Sequence, residues 1–518
     1  MHDLHDLDET LSPPVARQHG GRMAWWVALA AIVAVALALR VYRLGADSFW
    51  CDEFLTAEMT VGRGFAHEAI PQGQIVEHPP LVTSLHDRTA WWRIWPNQIA
   101  EGYPPLYVMV ARFWRLGAGE SDVALRWLSV LCSLAALLVL ADAVRLKHGR
   151  GAAIWCVAIA AVAGPQIEFA QEARGYAMLL LAGATAAWGL ARLEVRGASW
   201  RAALLLGLGL VGLLLIHYYS WGAASLLGIY GAVALRGAAR KQAIAAAACA
   251  AVLAAALWGP WVFQQVNAAH VSGTRMYFGD AEPGRIGRFL SRMSILPVRY
   301  FYEPMKRAQS FAAVGGLMYV ALGWLAWRRR DLRLWILLGA GVVGLVAMMD
   351  LLARTRQVSL IRYTLLASLA AYALVAAAPV RLRRPWPHVI GAMVVLACLL
   401  SLTTVYETRK PAWREVAAEW ERAADAGAIT IFSGSDYAGP YSPSMTYVSM
   451  SFYRHAKGPI VLLERRASDS MIAALKQRER VLLVVSAVSP EPEELLPGAK
   501  FERVGFEPFA ATVFRVSW

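Results

Sequence analysis

Charged side chains are scarce in this sequence. Only 17% of its 518 residues are Asp, Glu, Lys or Arg, whereas 58% are hydrophobic and the mean hydropathy is +0.42. That deficit excludes an ordinary soluble globular protein, in which about a quarter of residues are charged. Acidic residues are fewer than basic ones, 37 against 51, for a formal net charge of +14. The excess does not indicate nucleic-acid binding, because there is no basic stripe with interleaved aromatics and no nucleic-acid motif. Cysteine is equally sparse. Cys51, Cys132, Cys156, Cys249 and Cys398 form neither a paired framework nor a metal spacing. Four of them lie inside apolar runs, as small buried hydrophobes do; Cys51 reads as a free thiol. The first 22 residues are polar and carry three histidines. They lack the apolar core of a cleavable signal and read as a cytosolic tail.

What the sequence has in abundance is apolar runs. A spanning helix needs about 20 apolar residues. Runs of that kind lie at 23–41, 122–144, 151–168, 176–193, 202–219, 221–236, 243–264, 309–327, 334–352, 361–380 and 387–405. The expected fold is a polytopic α-helical membrane protein with eleven spans in residues 23–405. The segment from Pro104 to Leu116 is too short and is interrupted by Arg112 and Arg115. It reads as an interfacial amphipathic helix with snorkelling arginines. With a cytosolic N-terminus, alternate connections should be rich in Lys and Arg. They are: Arg145/Lys147/Arg150, Arg192/Arg196/Arg201, Arg236/Arg240/Lys241, Arg328/Arg329/Arg330/Arg333 and Arg381/Arg383/Arg384.

The opposite face collects the unusual polar residues. It receives the first loop, 44–121, with Asp52 and Glu53 directly after Trp50 and Cys51. Taken alone, the acid pair could be helix-starting residues, since Asp and Glu favour a first turn. The same face receives Glu172 and Arg174, then His217-Tyr218-Tyr219, the polar loop 264–308, and the stretch from Arg354 to Arg362 and Tyr363. Charges at the bilayer boundary are costly and tend to mark function. From Tyr406 onward short apolar runs alternate with helical patterns, which predicts a small α/β domain over 406–518 with a mixed or parallel sheet. It follows an odd-numbered span and so shares the face of the acid pair. It carries no Gly-rich phosphate loop, no Ser/His/Asp arrangement and no metal spacing.

Several motifs occur in an order that resembles a known family. Arg40-Val-Tyr-Arg-Leu-Gly-Ala-Asp-Ser-Phe-Trp-Cys-Asp-Glu-Phe-Leu-Thr is similar to the first-loop acidic motif of bacterial membrane glycosyltransferases of the GT-C class. These are relatives of the protein O-mannosyltransferases and the aminoarabinose transferases. Tyr103-Pro-Pro-Leu-Tyr, Ala124-Leu-Arg-Trp-Leu-Ser, Ala170-Gln-Glu-Ala-Arg-Gly-Tyr-Ala-Met, His217-Tyr-Tyr and Ile361-Arg-Tyr-Thr resemble its later landmarks. Lys410-Pro-Ala-Trp-Arg-Glu-Val-Ala resembles the start of the periplasmic domain that some members carry. Aminoarabinose transferases have a lysine where this chain has Tyr103, and His78-Pro79-Pro80-Leu81 offers a rival alignment.

The resemblance implies transfer of a sugar, hexosyl or pentosyl, from a polyprenyl-phosphate donor to a lipid, glycan or protein hydroxyl on the periplasmic side of the bacterial inner membrane. It places Asp52 at the reaction centre. Attack by a hydroxyl is helped by a carboxylate base, a role for Asp52, with Glu53 orienting it or binding the acceptor. The departing phosphate needs fixed cations, and arginine offers a charged fork. Arg174 and Arg362 are the candidates, with His217 and Tyr218 as further donors and Glu172, Tyr103 and Tyr363 beside them. Glu172 has a simpler reading as an ion pair with Arg174 or a backbone cap, and His217 as a satisfied boundary histidine. No cofactor is required. Asp52, Glu53, Glu58, Glu168 and Glu172 could assemble an oxygen site for a divalent cation, but no spacing demands one. The rival class is a transporter or flippase of a lipid-linked sugar, against which stands the absence of a clear internal repeat.

Overall fold

The structure, a computed structural model, describes residues 15–271, 284–302, 311–407, 410–434, 442–454, 458–486, 489–507 and 511–518. Most of the predicted cytosolic tail and parts of the predicted loop 264–308 lie outside the described residues. Its principal helices are α1 (Val15–Val41), α2 (Cys51–Met59), α3 (Leu106–Ala118), α4 (Asp122–Val162), α5 (Tyr176–Arg196), α6 (Trp200–Ile216), α7 (Ser220–Ala234) and α8 (Gly237–Val271). They continue with α9 (Arg285–Arg299), α10 (Ala312–Arg328), α11 (Arg333–Leu352), α12 (Leu366–Ala377), α13 (Trp386–Leu400), α14 (Trp413–Asp425), α15 (Pro443–Tyr453) and α16 (Asp469–Lys476).

Among the described residues six helices are long and apolar enough to cross a membrane: Arg22–Val41, Asp122–Val162, Tyr176–Arg196, Gly237–Gln265, Arg330–Leu352 and Trp386–Glu407. Three shorter apolar helices accompany them, Trp200–Ile216, Ser220–Ala234 and Leu366–Arg381. Together they make the chain a multi-pass membrane protein. The break between the second and third predicted spans falls inside α4, where Gly149 turns the backbone at φ +86°. Only glycine takes that conformation without strain. Ser121 caps the start of α4 by accepting the Ala124 N–H at 3.2 Å, as N-cap serines do.

Helix packing within the membrane relies on small residues. A side chain on Gly341 of α11 would come within 2.5 Å of the Gly222 carbonyl oxygen of α7. The two backbones therefore touch directly, a contact that adds dispersion and carbonyl–Cα–H attraction where the hydrophobic effect gives none. At α3 the structure corrects the sequence reading. Arg112 and Arg115 do not snorkel outward; they are 3% and 2% exposed. Arg112 donates to the carbonyls of Thr89 at 2.9 Å and of Thr60, and Arg115 to those of Ala57 at 2.8 Å and Thr83 at 2.9 Å. Irregular backbone in the first loop leaves carbonyls that need donors. These two arginines supply them.

A six-stranded sheet lies beyond the apolar helices, in the order β1-β3-β2-β4-β6-β5. Five strands come from the C-terminal segment: β2 (Ile429–Ser433), β3 (Ile460–Leu463), β4 (Val481–Ser486), β5 (Lys500–Glu507) and β6 (Ala511–Ser517). β3, β2 and β4 pair in parallel, as their continuous apolar runs suggest, while β6 and β5 add an antiparallel hairpin. The remaining strand, β1 (Ile75–Val76), belongs to the first loop and pairs antiparallel with β3, Ile75 opposite Val461 and Val76 opposite Ile460. The loop that bears the acid pair is thus woven into the C-terminal sheet. α15 wedges between them, with residues 443–451 all buried and Phe452 against Phe49 at 4.9 Å and Phe54 at 5.6 Å.

The α7–α11 contact generates a direct test. Gly341→Ala should lower the melting temperature in detergent, by about 1–3 kcal/mol of overpacking. Gly344→Ala on the same helix, where an added carbon meets nothing within 4 Å, should leave it unchanged. Equal melting of both variants would remove the close approach.

Candidate active site

Two adjacent acids begin α2, and the helix turns their side chains apart. Glu53 faces inward and is fully buried. Its Oε1 accepts from Arg126 Nε at 2.9 Å and from the Ala173 N–H at 2.8 Å. Its Oε2 accepts from Arg126 Nη2 at 2.9 Å, Lys410 Nζ at 2.9 Å and the Trp50 N–H at 3.3 Å. The last is the reach-back bond of a capping box, so the helix-start reading holds for this acid. Five donors leave no room for an acceptor molecule on Glu53, and of its two sequence-based roles only the orienting one is compatible with this shell. Burial alone would raise its pKa. The Arg126 charge, then Lys410 and the bonds from Arg126 and Ala173, bring it down to about 2.

Arg126 carries that loop further. It donates to the carbonyls of Leu44 at 3.0 Å, Asp47 at 2.8 Å and Ser48 at 3.1 Å. The loop before α2 is therefore wrapped around one guanidinium.

Asp52 points the other way and stays 21% exposed at its side chain. Its Oδ2 accepts from Arg362 Nη1 at 3.3 Å. The Arg362 guanidinium also lies over the rings of Trp50 at 5.3 Å and Tyr363 at 5.2 Å, where ring quadrupoles favour a cation. Arg174 approaches from behind. It donates to the Asp52 carbonyl and to Thr56 Oγ1, both at 3.1 Å, and pairs with Glu101 Oε1 at 2.9 Å. Burial pushes the Glu101 carboxyl up, against the pull of Arg174.

Beside Arg174 lies a cavity of about 30 Å³ lined by Gln98, Glu101, Tyr103, Arg174, Tyr176 and His217. That volume holds about two waters. Among the described residues the Gln98 amide, the Tyr176 hydroxyl and His217 Nε2 have no hydrogen-bond partner. His217 Nδ1 accepts the Tyr219 N–H at 3.2 Å, which places the ring proton of the neutral imidazole on Nε2. Tyr103 lies 4.8 Å from the His217 ring and 4.8 Å under the Arg174 guanidinium. Tyr363 is 5.8 Å from His217.

Asp52, Arg174, Arg362, His217, Tyr103 and Tyr363 thus converge. Tyr218 does not join them by any such contact; its hydroxyl bonds Gln265 and accepts Trp258 Nε1 at 2.8 Å. Adjacent residues at a helix end diverge, and Tyr218 turns toward α8. Glu172 pairs with Lys410 at 3.6 Å, not with Arg174. Of the other acids, Glu58 is bound to His67, through its N–H at 2.8 Å and Nδ1 at 2.7 Å. Among the described residues no three His, Cys, Asp or Glu side chains converge as a metal would require. Arg126, Glu101 and Lys410 were not singled out as site residues. An arginine inside an apolar run was the available signal for Arg126.

No protein-family model matches the chain, and no curated protein matches it. Among solved structures it is similar to ArnT from Cupriavidus metallidurans bound to undecaprenyl phosphate, at 15% identity over 95% of this chain and 98% of that one, with a TM-score of 0.46. It is also similar to the Archaeoglobus fulgidus oligosaccharyltransferase tethered with an acceptor peptide, at 11% identity, covering 89% and 69%, TM-score 0.48. A third is the arabinofuranosyltransferase AftD from Mycobacteria, at 16% identity, covering 95% and 41%, TM-score 0.42. These neighbours are glycosyltransferases of the GT-C class, the class that the motif order resembles.

The Glu53 shell has a pH signature. A carboxyl with a depressed folded pKa stabilises above its unfolded value, and that stability is lost as pH falls through the folded one. The contribution of Glu53 should be intact above about pH 4.5 and disappear toward pH 2. Glu53→Gln leaves Arg126 buried without its counter-charge, a change that costs about 3–5 kcal/mol. Melting curves from pH 7 to pH 3 should show the variant lower at neutral pH and converging with the wild type in acid. Parallel curves would contradict the arrangement.

Proposed function

We propose that the chain is an inverting glycosyltransferase. It moves a sugar from a polyprenyl-phosphate carrier to a lipid, glycan or protein hydroxyl at the periplasmic face of the bacterial inner membrane. The observation that carries this reading is the division of labour in the acid pair. Asp52 is partly exposed against Arg362 at 3.3 Å, while its neighbour Glu53 is closed inside five hydrogen bonds.

One open carboxylate beside one arginine suits a single displacement. The acceptor oxygen bonds to the anomeric carbon, its proton passes to Asp52, and the bond from that carbon to the phosphate oxygen breaks. The phosphate takes the electron pair and leaves as an anion. It needs no acid, only a cation, and Arg362 stands at the opening to meet it. A glycosidase needs two working carboxyls; here only one of the pair is accessible. Arg174, lodged behind Asp52, holds the carbonyl of the base in place. The His217 Nε2 proton is a further donor on that side.

The chemistry is tested on Asp52. Asp52→Asn keeps the size and the hydrogen bond to Arg362 but cannot accept a proton. Transfer from a polyprenyl-phosphate sugar should fall by about 10²–10⁴ with carrier binding and melting temperature retained. Arg362→Ala should weaken carrier binding, and Lys should restore it only in part because the fork is lost. Near-normal turnover in folded Asp52→Asn would overturn the mechanism.

Orientation is tested separately. This reading puts the basic connections in the cytosol and the sheet outside it, as the distribution of Lys and Arg suggests. A reporter active only outside the cytosol should work when fused after Trp518 and fail after Arg201 or Arg330. A silent fusion at Trp518 would reverse the orientation.

A further inference from the structure

Lys410 begins the segment that leads from the last apolar helices to α14 and the sheet. Its side chain is 22% exposed, and its ammonium reaches back into the acid cluster. It lies 2.9 Å from Glu53 Oε2 and 3.6 Å from Glu172 Oε1. Four residues later Arg414 ties the same segment to the first loop. It pairs with Asp122 at 2.6 Å and donates to the Gly45 carbonyl at 3.1 Å, and its N–H bonds Ser48 Oγ at 3.0 Å. Tyr453 of α15 completes the joint, donating to Asp122 at 3.1 Å and accepting the Phe49 N–H at 2.6 Å.

Glu172 is the group that makes Lys410 more than a tether. It is 6% exposed, and its Oε2 has no hydrogen-bond partner among the described residues. Around it stand Glu53 and Asp52 from α2, Lys410 from the segment before α14, and Arg362 from the short helix Ile361–Thr364. Arg126 of α4 is committed to Glu53, and Arg174 to Glu101. Among the described residues, the cation within 4 Å of Glu172 is the Lys410 ammonium.

We propose that Lys410 is a positioning residue of the Asp52 centre, through which docking of the C-terminal α/β segment sets the charge of the acidic loop. With the segment docked, the ammonium balances Glu172 and completes the shell of Glu53. The Ala173 N–H then stays on Glu53 Oε1, and the adjoining Arg174 stays on the Asp52 carbonyl. With Lys410 withdrawn, two carboxylates face each other beside the base, and the phosphate side of the site becomes more negative. The idea rests on the glycosyltransferase reading for its effect on the carrier, but not for its effect on the fold.

Three full-length proteins test it: wild type, Lys410→Arg and Lys410→Met, each followed from pH 5 to pH 8 by melting temperature and by binding of undecaprenyl phosphate. Burial already raises the Glu172 carboxyl, with Glu53 and Asp52 adding to it against Lys410. Removing the ammonium raises it further. The buried carboxylate is then a burden where it is ionised and relaxes where it takes a proton. Lys410→Met should melt below the wild type at pH 8 and approach it at pH 5. It should bind undecaprenyl phosphate at least tenfold more weakly at pH 8, with the gap narrowing in acid. Lys410→Arg should follow the wild type in both. A constant melting deficit across the range, shared by Met and Arg, would mean packing alone and overturn the proposal; so would Met curves identical to the wild type. Should the wild type bind no undecaprenyl phosphate while the melting curves behave as expected, the function reading falls and the assignment of Lys410 stands.

Discussion

The buried contact between Glu53 and Arg126 is the constraint on which the rest of the site depends. An ionised carboxylate enclosed without solvent is tolerable only if its lone pairs are filled, and here each oxygen is. The guanidinium has the same requirement and meets it with three carbonyls of the loop before α2. One ion pair thereby fixes the entry to α2, the rotation of that helix, and the Ala173 backbone opposite. Asp52 then faces outward because its neighbour faces inward. Such a pair adds little to net stability compared with an apolar isostere. Its contribution is geometric, since the carboxyl accepts donors from α2, α4, the stretch before α5 and the segment before α14.

The helical part was legible from the sequence because its signal is long. An apolar run of some twenty residues survives averaging, and among the described residues the predicted runs fall on helices, six of which are long and apolar enough to cross a membrane. The runs 122–144 and 151–168 are parted in the sequence by Arg145, Lys147 and Arg150, and Gly149 turns the backbone between them. The C-terminal strands were legible where they are buried on both sides: β2, β3 and β4 are continuous apolar runs. The hairpin of β5 and β6 was not foreseen, since its residues alternate without a turn signal strong enough to mark it. β1 could not have been foreseen. Two residues are a strand only because β3 lies beside them.

The candidate site divides in the same way. Asp52, Arg174, Arg362 and His217 were legible as types of residue in the right loops. Who pairs with whom was not, because a salt bridge across more than seventy residues leaves no local pattern. The sequence offers Glu172 an ion pair with Arg174, two positions away, or a backbone cap; in space Arg174 pairs with Glu101 and Glu172 with Lys410. Arg112 and Arg115 read as snorkelling side chains of an interfacial amphipathic helix. Their true partners are carbonyls of an irregular loop, whose need for donors cannot be read from side-chain composition.

The single pairing of β1 with β3 has a consequence for synthesis. Val76 lies in the loop after the first apolar helix, and Ile460 near the far end of the chain. Contacts so distant in sequence close late, and a chain emerging from the ribosome supplies its N-terminal part first. The loop bearing Asp52 must therefore wait until nearly all the remaining helices have been made. A half-made chain holds the acid pair without the strand, the wedge helix or the lysine that settle it. Catalytic competence would then arrive as one of the last events of assembly, a delay that keeps an unfinished protein from acting on its membrane.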